Sequence, residues 1–416
     1  MGWKTRELAS VCEVFTDGDW IESKDQSDAG IRLIQTGNVG EGVFKDRAEK
    51  ARFVSSDTFT RLRCTEIVPG DCLISRLPDP VGRACIVPDT GESMITAVDC
   101  TIVRFEKDAY LPEFFTYYSQ SDSYLDAVEV ETTGTTRKRI SRVRLGQIVV
   151  PVPPLPEQRR IVAILDEAFE AIATAKANTE RNLRNASEWA SRQLATALSA
   201  ASMGGRVEAL EKLVAPSCTL SYGIVQPGDE VPGGLPVVRP VDLGDRTVHA
   251  HGLKRIDPAL ARSYSRTTLE GNDLLLCVRG TTGTVAMAEP ALAGANVTRG
   301  IVPVRFDPQS ISQALGYYLL RSEPVQAQVR AKTYGTALMQ INIGDLRKIV
   351  VAYPPPEQQA ALVDQLDAIQ ESADQLTDVY GRKLAALDEL KKSVLHQAFS
   401  GALTVKSTDQ QLEAVA

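Results

Sequence analysis

Apolar and polar residues alternate over short stretches in two parts of the chain. Residues 1–155 and 204–355 carry short runs rich in Val, Ile and Leu, such as "LLLCV" at 274–278, separated by Gly, Pro, Asp and Asn. Short apolar runs bounded by turn residues are typical of strands. One helical pattern interrupts each part, at 112–128 and at 312–329. We therefore predict two mixed, sheet-based domains.

A helical pattern follows each of these parts. Residues 156–203 and 356–403 are predicted to be long helices, because apolar residues recur there at spacings of three and four. In the second helix the spacing is almost strictly sevenfold, as in a coiled coil, with one row interrupted by Lys383. The predicted seam consists of Ile161, Leu165, Ile172, Leu183 and Leu194 in the first helix and of Leu362, Leu366, Ile369, Leu376, Leu387, Leu390 and Val394 in the second.

The two predicted helices begin with nearly the same sequence. "PPLPEQRRIVAILDEA" at 153–168 returns as "YPPPEQQAALVDQLDA" at 353–368. Pro156 and Pro356 suit a first helical turn, because the N–H that proline lacks would be unpaired there. The glutamate after each proline lies where the helix dipole favours a negative charge. Each box therefore predicts the start of a helix.

A shift of 200 or 201 positions aligns much more than these two boxes. Residues 132–158 lie over 333–358, and residues 69–87 resemble 270–288. Such self-similarity indicates a duplicated structural unit. The predicted fold class is α+β: two mixed sheet-based domains joined by two long antiparallel coiled-coil helices, with a pseudo-twofold internal repeat. Residues 404–416 are expected to form a disordered tail.

Composition narrows the class of protein. The net charge is −7 and 43% of the residues are hydrophobic, which is typical of globular proteins. The start "MGWKTRELAS" has no apolar stretch behind basic residues, and no apolar run is long enough to cross a bilayer, so we expect a cytoplasmic protein. None of the seven cysteines forms a C-x-x-C pair, and the three histidines lack accompanying ligands. We expect free thiols and no metal site.

The sequence lacks the catalytic motifs that we looked for. It contains no G-x-x-x-x-G-K-[ST], no H-E-x-x-H and no serine nucleophile elbow. "YPPP" at 353–356 lacks the leading acid or amide and the trailing aromatic of the amino-methyltransferase box. We therefore predict a non-catalytic chain with no bound cofactor.

Basic residues are concentrated where a polyanion could bind. Residues 132–150 carry five Arg and Lys and no acid, and residues 246–266 form a second basic run. Such runs can pair with phosphates, whereas base reading requires Arg, Lys, Asn or Gln side chains at a groove. Turns at corresponding places in the two halves are the best candidates. The candidate DNA-binding residues are Gln35, Asn38, Arg76, Thr135, Arg137, Lys138, Arg139, Arg239, Arg279, Lys332, Tyr334 and Thr336.

At this point the sequence resembles the specificity subunits of Type I restriction-modification systems. The resemblance rests on "PPLPEQRRIVAILD" and "PPPEQQAALVDQLD" opening the helices and on "LKKSVLHQAFSGALT" at 390–404 closing the second. It implies that each sheet-based domain is a target recognition domain for one half of a bipartite DNA sequence. It implies that the helices form a spacer and dock two DNA adenine methyltransferase subunits, which bind S-adenosylmethionine. Restriction subunits that use ATP and Mg²⁺ are further candidate partners.

Two other functions are compatible with the pattern. The chain could be the recognition part of a DNA-modifying enzyme that acts on its own, which a cofactor-binding assay would reveal. It could instead be a coiled-coil scaffold without a DNA role, which predicts no salt-dependent DNA binding even with partners present.

Overall fold

The computed structural model describes residues 3–134, 136–335 and 338–402. Thr135, Thr336 and the predicted tail at 404–416 lie outside the described residues. The chain divides into two units. Unit 1 comprises the described residues up to Glu180 and those from Gly381 onward, and unit 2 comprises Arg181–Tyr380.

Unit 1 contains three sheets. A two-stranded antiparallel sheet pairs β1 with β11, a four-stranded antiparallel sheet has the order β2-β10-β7-β8, and a mixed sheet has the order β3-β5-β4-β9-β6, with β4 and β9 parallel. The strands are β1 (Lys4–Glu7), β2 (Cys12–Asp17), β3 (Gln26–Ser27), β4 (Ile31–Ile34), β5 (Arg52–Val54), β6 (Glu66–Ile67), β7 (Cys72–Ser75), β8 (Ala84–Ile86), β9 (Met94–Thr96), β10 (Cys100–Phe105) and β11 (Val149–Val152).

Unit 2 repeats most of this topology. β12 pairs with β20, the order β15-β13-β18 matches β5-β4-β9, and the order β17-β16-β19 matches β8-β7-β10, with β14 added beside β17. The strands are β12 (Arg206–Ala209), β13 (Leu235–Val238), β14 (Thr247–Val248), β15 (Lys254–Ile256), β16 (Leu274–Cys277), β17 (Val285–Ala288), β18 (Asn296–Val297), β19 (Ile301–Val304) and β20 (Val350–Tyr353).

Short helices cover the sheets and one long helix follows each domain. The helix α5 begins in unit 1 at Leu155 and the helix α10 begins in unit 2 at Pro356, close to the predicted starts at 156 and 356. The helices are α1 (Ser56–Leu62), α2 (Pro112–Tyr118), α3 (Asp122–Glu131), α4 (Arg142–Gln147), α5 (Leu155–Ser202), α6 (Pro258–Ala261), α7 (Gln313–Arg321), α8 (Glu323–Lys332), α9 (Ile343–Arg347) and α10 (Pro356–Phe399). The predicted α+β class, with two mixed sheet-based domains and two long helices, is confirmed.

The long helices are antiparallel within unit 1. Lys176 of α5 forms an ion pair with Asp388 of α10. Leu165, earlier in α5, shares a core with Leu395, later in α10. An earlier residue of one helix therefore meets a later residue of the other. The same core includes the aromatic residues of α2, so the end of α10 is part of unit 1.

The buried stripe of α10 departs from the sevenfold spacing. Leu362, Leu366 and Ala373 are buried, as the heptad requires, but Leu376 and Leu390 are 37% and 47% exposed. Beyond Ala373, Leu384 takes the half-buried place that the heptad assigns to Lys383. A straight α-helix has 3.6 residues per turn, so its buried face drifts by about 20° per heptad away from a strict sevenfold row. Leu376 and Leu390 thus lie outside the buried stripe that we predicted.

The rest of the predicted seam is buried or half-buried. Ile161, Leu165 and Ile172 are buried on α5. The half-buried seam residues are Leu183, Leu194, Ile369, Leu387 and Val394.

A buried glutamine fastens each long helix to its domain. The Gln158 amide donates to the carbonyl oxygens of Ala109 and Pro153, at 2.9 and 2.8 Å, and accepts from the Leu111 N–H at 2.8 Å. In unit 2, Gln359 makes the same three bonds, with the residues 201 positions further along the chain. They are Ser310 O (2.7 Å), Pro354 O (3.0 Å) and Ser312 N (2.8 Å).

These contacts correct the alignment of the two proline boxes. Gln158 corresponds to Gln359, whereas the identical letters "PEQ" had placed it over Gln358, which is exposed. The two helix starts, Leu155 and Pro356, are also 201 positions apart. The shared letters therefore lie one residue out of structural register.

Candidate nucleic-acid interface

One hairpin recurs in both units at the place where we predicted DNA contacts. Thr133 and Arg139 exchange two backbone hydrogen bonds of 2.9 and 2.8 Å, and Tyr334 and Gln340 exchange two of 2.8 and 2.9 Å. Each hairpin directly follows a short helix, α3 in unit 1 and α8 in unit 2. The same backbone thus carries different side chains in the two units.

A glycine with positive φ closes both hairpins. Gly134 has φ of 101° and Gly335 has φ of 108°. A Cβ atom at either position would lie 2.4 Å from a carbonyl oxygen across the turn, that of Arg137 or of Leu338. No L-residue with a side chain fits there without moving the backbone. The glycines shared by "TTGTT" and "TYGTA" are therefore requirements of the turn.

In unit 1 the hairpin is basic and is joined to carboxylates of the neighbouring sheet. An Nη2 of Arg139 lies 2.9 Å from Oδ1 of Asp99, and that of Arg137 lies 3.9 Å from Oδ2 of the same residue. Nε of Arg142 lies 3.9 Å from Asp17. The two hairpin arginines thus lie beside one aspartate, Asp99, while their side chains stay 45% to 75% exposed. Lys138, between them, pairs instead with Glu129.

Arg76 lies beneath this surface. Its side chain is buried, lies 3.3 Å from Asp17 Oδ1 and donates to the carbonyl of Val98. Burial lowers the pKa of its guanidinium despite the nearby carboxylate. The net charge of this cluster is +2, because it contains four arginines and two aspartates: Arg76, Arg137, Arg139, Arg142, Asp17 and Asp99. Arg76 is therefore a buried residue that contacts Asp17 and the Val98 carbonyl, and its guanidinium is not exposed for a ligand.

Asn38 has an internal role as well. It is buried, accepts from the Gln35 N–H at 3.0 Å and donates to the Lys45 carbonyl at 2.9 Å. Its side chain thus closes the turn after β4. Gln35 is half-buried at the start of the turn.

In unit 2 the matching hairpin is aromatic and apolar. Tyr334 is 50% exposed, Leu338 46% and Met339 44%. Leu338 stands in place of Arg137, and Gln340 in place of Arg139. An exposed aromatic ring with apolar neighbours can stack on a base or contact a thymine methyl group.

Basic groups of unit 2 lie beside this hairpin. Arg279 is half-buried and its backbone forms a bridge with Gln340, and Lys332 is half-buried at the end of α8. Tyr222 donates from its hydroxyl to the Ile341 carbonyl at 3.1 Å, and burial raises the pKa of this hydroxyl. Arg239 of the earlier candidate set is tied to Asp242 through Nη2 at 2.9 Å.

Arg76 and Arg279 are not structural counterparts. The Arg76 N–H donates to Asp99 O at 2.9 Å, and the Val278 N–H donates to Gly300 O at 2.8 Å. Val278 therefore matches Arg76, and Arg279 lies one residue later. A shift of one residue at the end of a strand sends the side chain to the other face. This explains why Arg76 is buried and Arg279 is not.

Sequence reasoning missed Asp17, Asp99 and Tyr222. The two aspartates are far from the basic run in sequence and show no motif. Only their places at the ends of β2 and before β10, on strands that pair with each other, could have brought them near one another. The basic run predicted the arginines of the site but not the aspartates that pair with them.

The described residues offer little else for a bound group. Within residues 3–134, 136–335 and 338–402, no group of three or more His, Cys, Asp or Glu could hold a metal ion. His249 pairs with Glu289 at 2.7 Å. The seven cysteines are free, and six of them are buried. None of the helices in the described part of the chain is long and apolar enough to span a membrane.

Comparison with protein families gives a match to one model over most of the chain. The model describes a Type I restriction modification DNA specificity domain and matches residues 1–182 and 229–379. Two curated relatives are similar. The Type I restriction enzyme EcoBI specificity subunit of Escherichia coli is 24% identical over 73% of this chain and 68% of its own. The putative type I restriction enzyme MjaX specificity subunit of Methanocaldococcus jannaschii is 21% identical over 97% and 94%.

Two solved structures share the fold. One comes from work on complex assembly and conformational transition of a type I R-M system; it is 19% identical, covers 96% of this chain and 97% of that chain, and has a TM-score of 0.76. The other is the HsdS subunit from Thermoanaerobacter tengcongensis, also 19% identical with the same coverage, with a TM-score of 0.57.

Proposed function

Since the chain belongs to the Type I restriction-modification DNA specificity family, we propose that it reads a bipartite DNA target with one domain per half-site. In this proposal the chain has no catalytic activity of its own and binds no cofactor. Two methyltransferase subunits dock on it and supply S-adenosylmethionine, and restriction subunits with ATP and Mg²⁺ are further candidate partners.

The observation that carries the proposal is the pair of matching hairpins. Their backbone hydrogen bonds and glycines correspond, but one presents arginines and the other a tyrosine with apolar neighbours. Equivalent scaffolds with different side chains suit the reading of two unrelated base sequences, because base edges are distinguished by side-chain chemistry.

The long helices support a spacer role. α5 has 48 residues and α10 has 44, which at 1.5 Å per residue correspond to about 70 Å and about 65 Å. Each helix is fastened to its domain by a buried glutamine. A spacer fixed in this way would set the distance between the half-sites.

Exchange of the first domain tests the proposal. The chain is produced with its methyltransferase subunit in a host that lacks adenine methylation, and methylated adenines are mapped across the genome. We expect a two-part motif. Replacing residues 1–155 by those of a relative should change one half of that motif and leave the other half unchanged.

Two outcomes would contradict the proposal. Motifs that stay the same after the exchange would remove the reading role of this domain. Methyl transfer by the purified chain without any partner, or its binding of S-adenosylmethionine, would instead favour an enzyme that acts on its own.

A further inference from the structure

We infer that Arg139 reads a guanine in the half-site assigned to unit 1, and that Asp99 is the positioning residue that aims its guanidinium. This inference rests on the proposed function.

The Arg139 side chain is both held and accessible. Its Nη2 lies 2.9 Å from Asp99 Oδ1, and the side chain is 45% exposed, whereas that of Asp99 is 24% exposed. A guanidinium has five N–H donors in a fixed plane, so a carboxylate that accepts from one edge leaves other donors for a ligand. The contact with Asp99 thus orients Arg139 and leaves the other donors of the guanidinium for a ligand.

The backbone around this pair is firmly fixed. Arg139 exchanges two hydrogen bonds with Thr133, and the next residue, Ile140, donates to the Arg76 carbonyl at 3.3 Å. Arg76 in turn donates its N–H to the Asp99 carbonyl at 2.9 Å. The hairpin, the end of β7 and the residue before β10 are therefore joined in one hydrogen-bonded set. A side chain on such a support loses little freedom when it binds.

Charge compensation favours a base over a phosphate as the ligand. Asp99 neutralises part of the charge of Arg139 and Arg137, which reduces their attraction for a phosphate. Guanine presents two uncharged acceptors, O6 and N7, in the plane and at the spacing that an arginine fork matches. An arginine held by an aspartate suits this acceptor pair.

The counterpart in unit 2 lacks both members of the pair. Gln340 occupies the position of Arg139 and Gly300 that of Asp99. Glutamine is the side chain that pairs with adenine N6 and N7. The predicted guanine contact therefore belongs to one half-site and leaves the other unaffected.

The test compares methylated motifs for three variants of the chain, each produced with its methyltransferase subunit. Arg139→Lys keeps the charge but loses the planar fork, and Arg139→Gln loses both. Asp99→Asn removes the carboxylate. We expect all three to tolerate other bases at one guanine of the unit 1 half-site, with the unit 2 half-site unchanged. The control Arg52→Gln, an exposed arginine on β5, should leave the whole motif unchanged.

Binding by the reconstituted complex gives the size of the effect. We expect discrimination against a substituted guanine to fall by about 10- to 100-fold for Arg139→Gln. Asp99→Asn should lower the same discrimination while it strengthens binding to unrelated DNA, because a negative charge is removed. A merely structural role of Asp99 would weaken both. Thermal melting of each complex shows whether the variants stay folded.

Several outcomes would overturn the inference while the proposed function stands. One is a unit 1 half-site without a G·C pair. Another is an unchanged motif in Arg139→Lys and Arg139→Gln with uniformly weaker binding and a salt dependence reduced by about one ion, which would indicate a phosphate contact. If the chain without substitutions produces no two-part methylated motif, that result would contradict the proposed function itself.

Discussion

Gln158 and Gln359 show how single residues connect a recognition domain to its helix. Each amide is buried. Each donates to one carbonyl just before its own long helix and also pairs with one carbonyl and one N–H of the segment before a short helix, α2 in unit 1 and α7 in unit 2. Buried backbone groups without a partner cost about 1 to 3 kcal/mol each. The glutamine therefore joins the start of the long helix to a segment of the domain that lies about 45 residues earlier in the chain.

Replacement of this glutamine should loosen that connection. We expect Gln359→Ala to lower the free energy of unfolding of unit 2 by about 2 to 4 kcal/mol, because three hydrogen bonds are lost and their partners stay buried. The matched control is Gln358→Ala, at an exposed site one residue earlier, which should change it by less than about 0.5 kcal/mol. Chemical denaturation measures both, and equal effects would contradict the role of Gln359.

The same residues show what the sequence could not predict. The letters "PEQ" occur in both boxes, and identity places Gln158 over Gln358. The structure places it over Gln359, because the second helix starts one residue later relative to those letters than the first helix does. The structural register is shown by hydrogen bonds to residues about 45 positions earlier in the chain, which letter identity within the box does not encode.

Asp367 should give unit 2 a pH-dependent contribution to stability. Its Oδ1 accepts from the Tyr318 hydroxyl at 2.5 Å and from Arg246 at 2.7 Å. Partial burial acts against ionisation, but these two donors outweigh it and lower the pKa of the carboxyl. The unfolded state then binds a proton more readily than the folded state. The contribution is complete above the ordinary carboxyl pKa and is lost as pH falls through the lowered value.

The comparison that isolates this effect is the melting temperature of Asp367→Asn against the unchanged protein. We expect the difference between them to be largest near pH 7 and to shrink below about pH 4. It should correspond to less than about 1 kcal/mol, because the carboxylate is half-exposed. Asp364→Asn, at an exposed site of the same helix, serves as the control. A difference that grows in acid would contradict this assignment.

At the scale of whole elements, the end of α10 is a structural part of unit 1. Phe399 packs edge-on against Phe114 and Tyr118, with ring centroids 5.4 and 5.2 Å apart. The residues 201 positions away in unit 2 are Leu198, Leu315 and Leu319, which share the core of that unit. Each unit is therefore completed by the last turns of a long helix, with aromatic packing in unit 1 and aliphatic packing in unit 2.

Shortening this aromatic contact should weaken unit 1 alone. We expect Phe399→Leu to cost about 1 to 2 kcal/mol, from lost ring contacts and a small cavity. Hydrogen exchange is the suitable measurement, because a chain with two units need not unfold in one step. Amides of α2 should exchange faster and those of α7 at an unchanged rate. Gln397→Ala, on the exposed side of α10, should change neither.

Elements were more predictable than the side chains at their ends. The two-domain pattern and the long helices follow from periodicity, which reports burial over many residues. The drift of the α10 stripe past Leu376 and Leu390 does not, since it depends on how straight the helix is. The burial of Arg76 was missed for a related reason: a charged residue at a strand end is buried only if partners such as Asp17 lie beside it.

On the scale of the whole molecule, duplication separates the support from the reading surface. The glutamine fastening, the hairpin backbone and the strand pairing recur in both units, while the hairpin side chains differ. Under the proposed function, either half-site can change through substitutions on its own hairpin. The spacing between half-sites would depend instead on the long helices.

Lengthening both helices tests that dependence. Four residues are inserted after Glu180 in α5 and four after Tyr380 in α10, where the chain passes from one unit to the other. Each helix becomes longer by about 6 Å, close to the rise of about two base pairs. We expect the gap in the methylated motif to widen by about two base pairs while both half-sites keep their bases, because neither hairpin is altered.

The control is an insertion of four residues into the exposed loop after Asp89, which should leave the gap as it was. If the gap stays constant in the helix variant, or if the half-sites themselves change, the helices do not set the spacing and the distance must be fixed by the partner subunits.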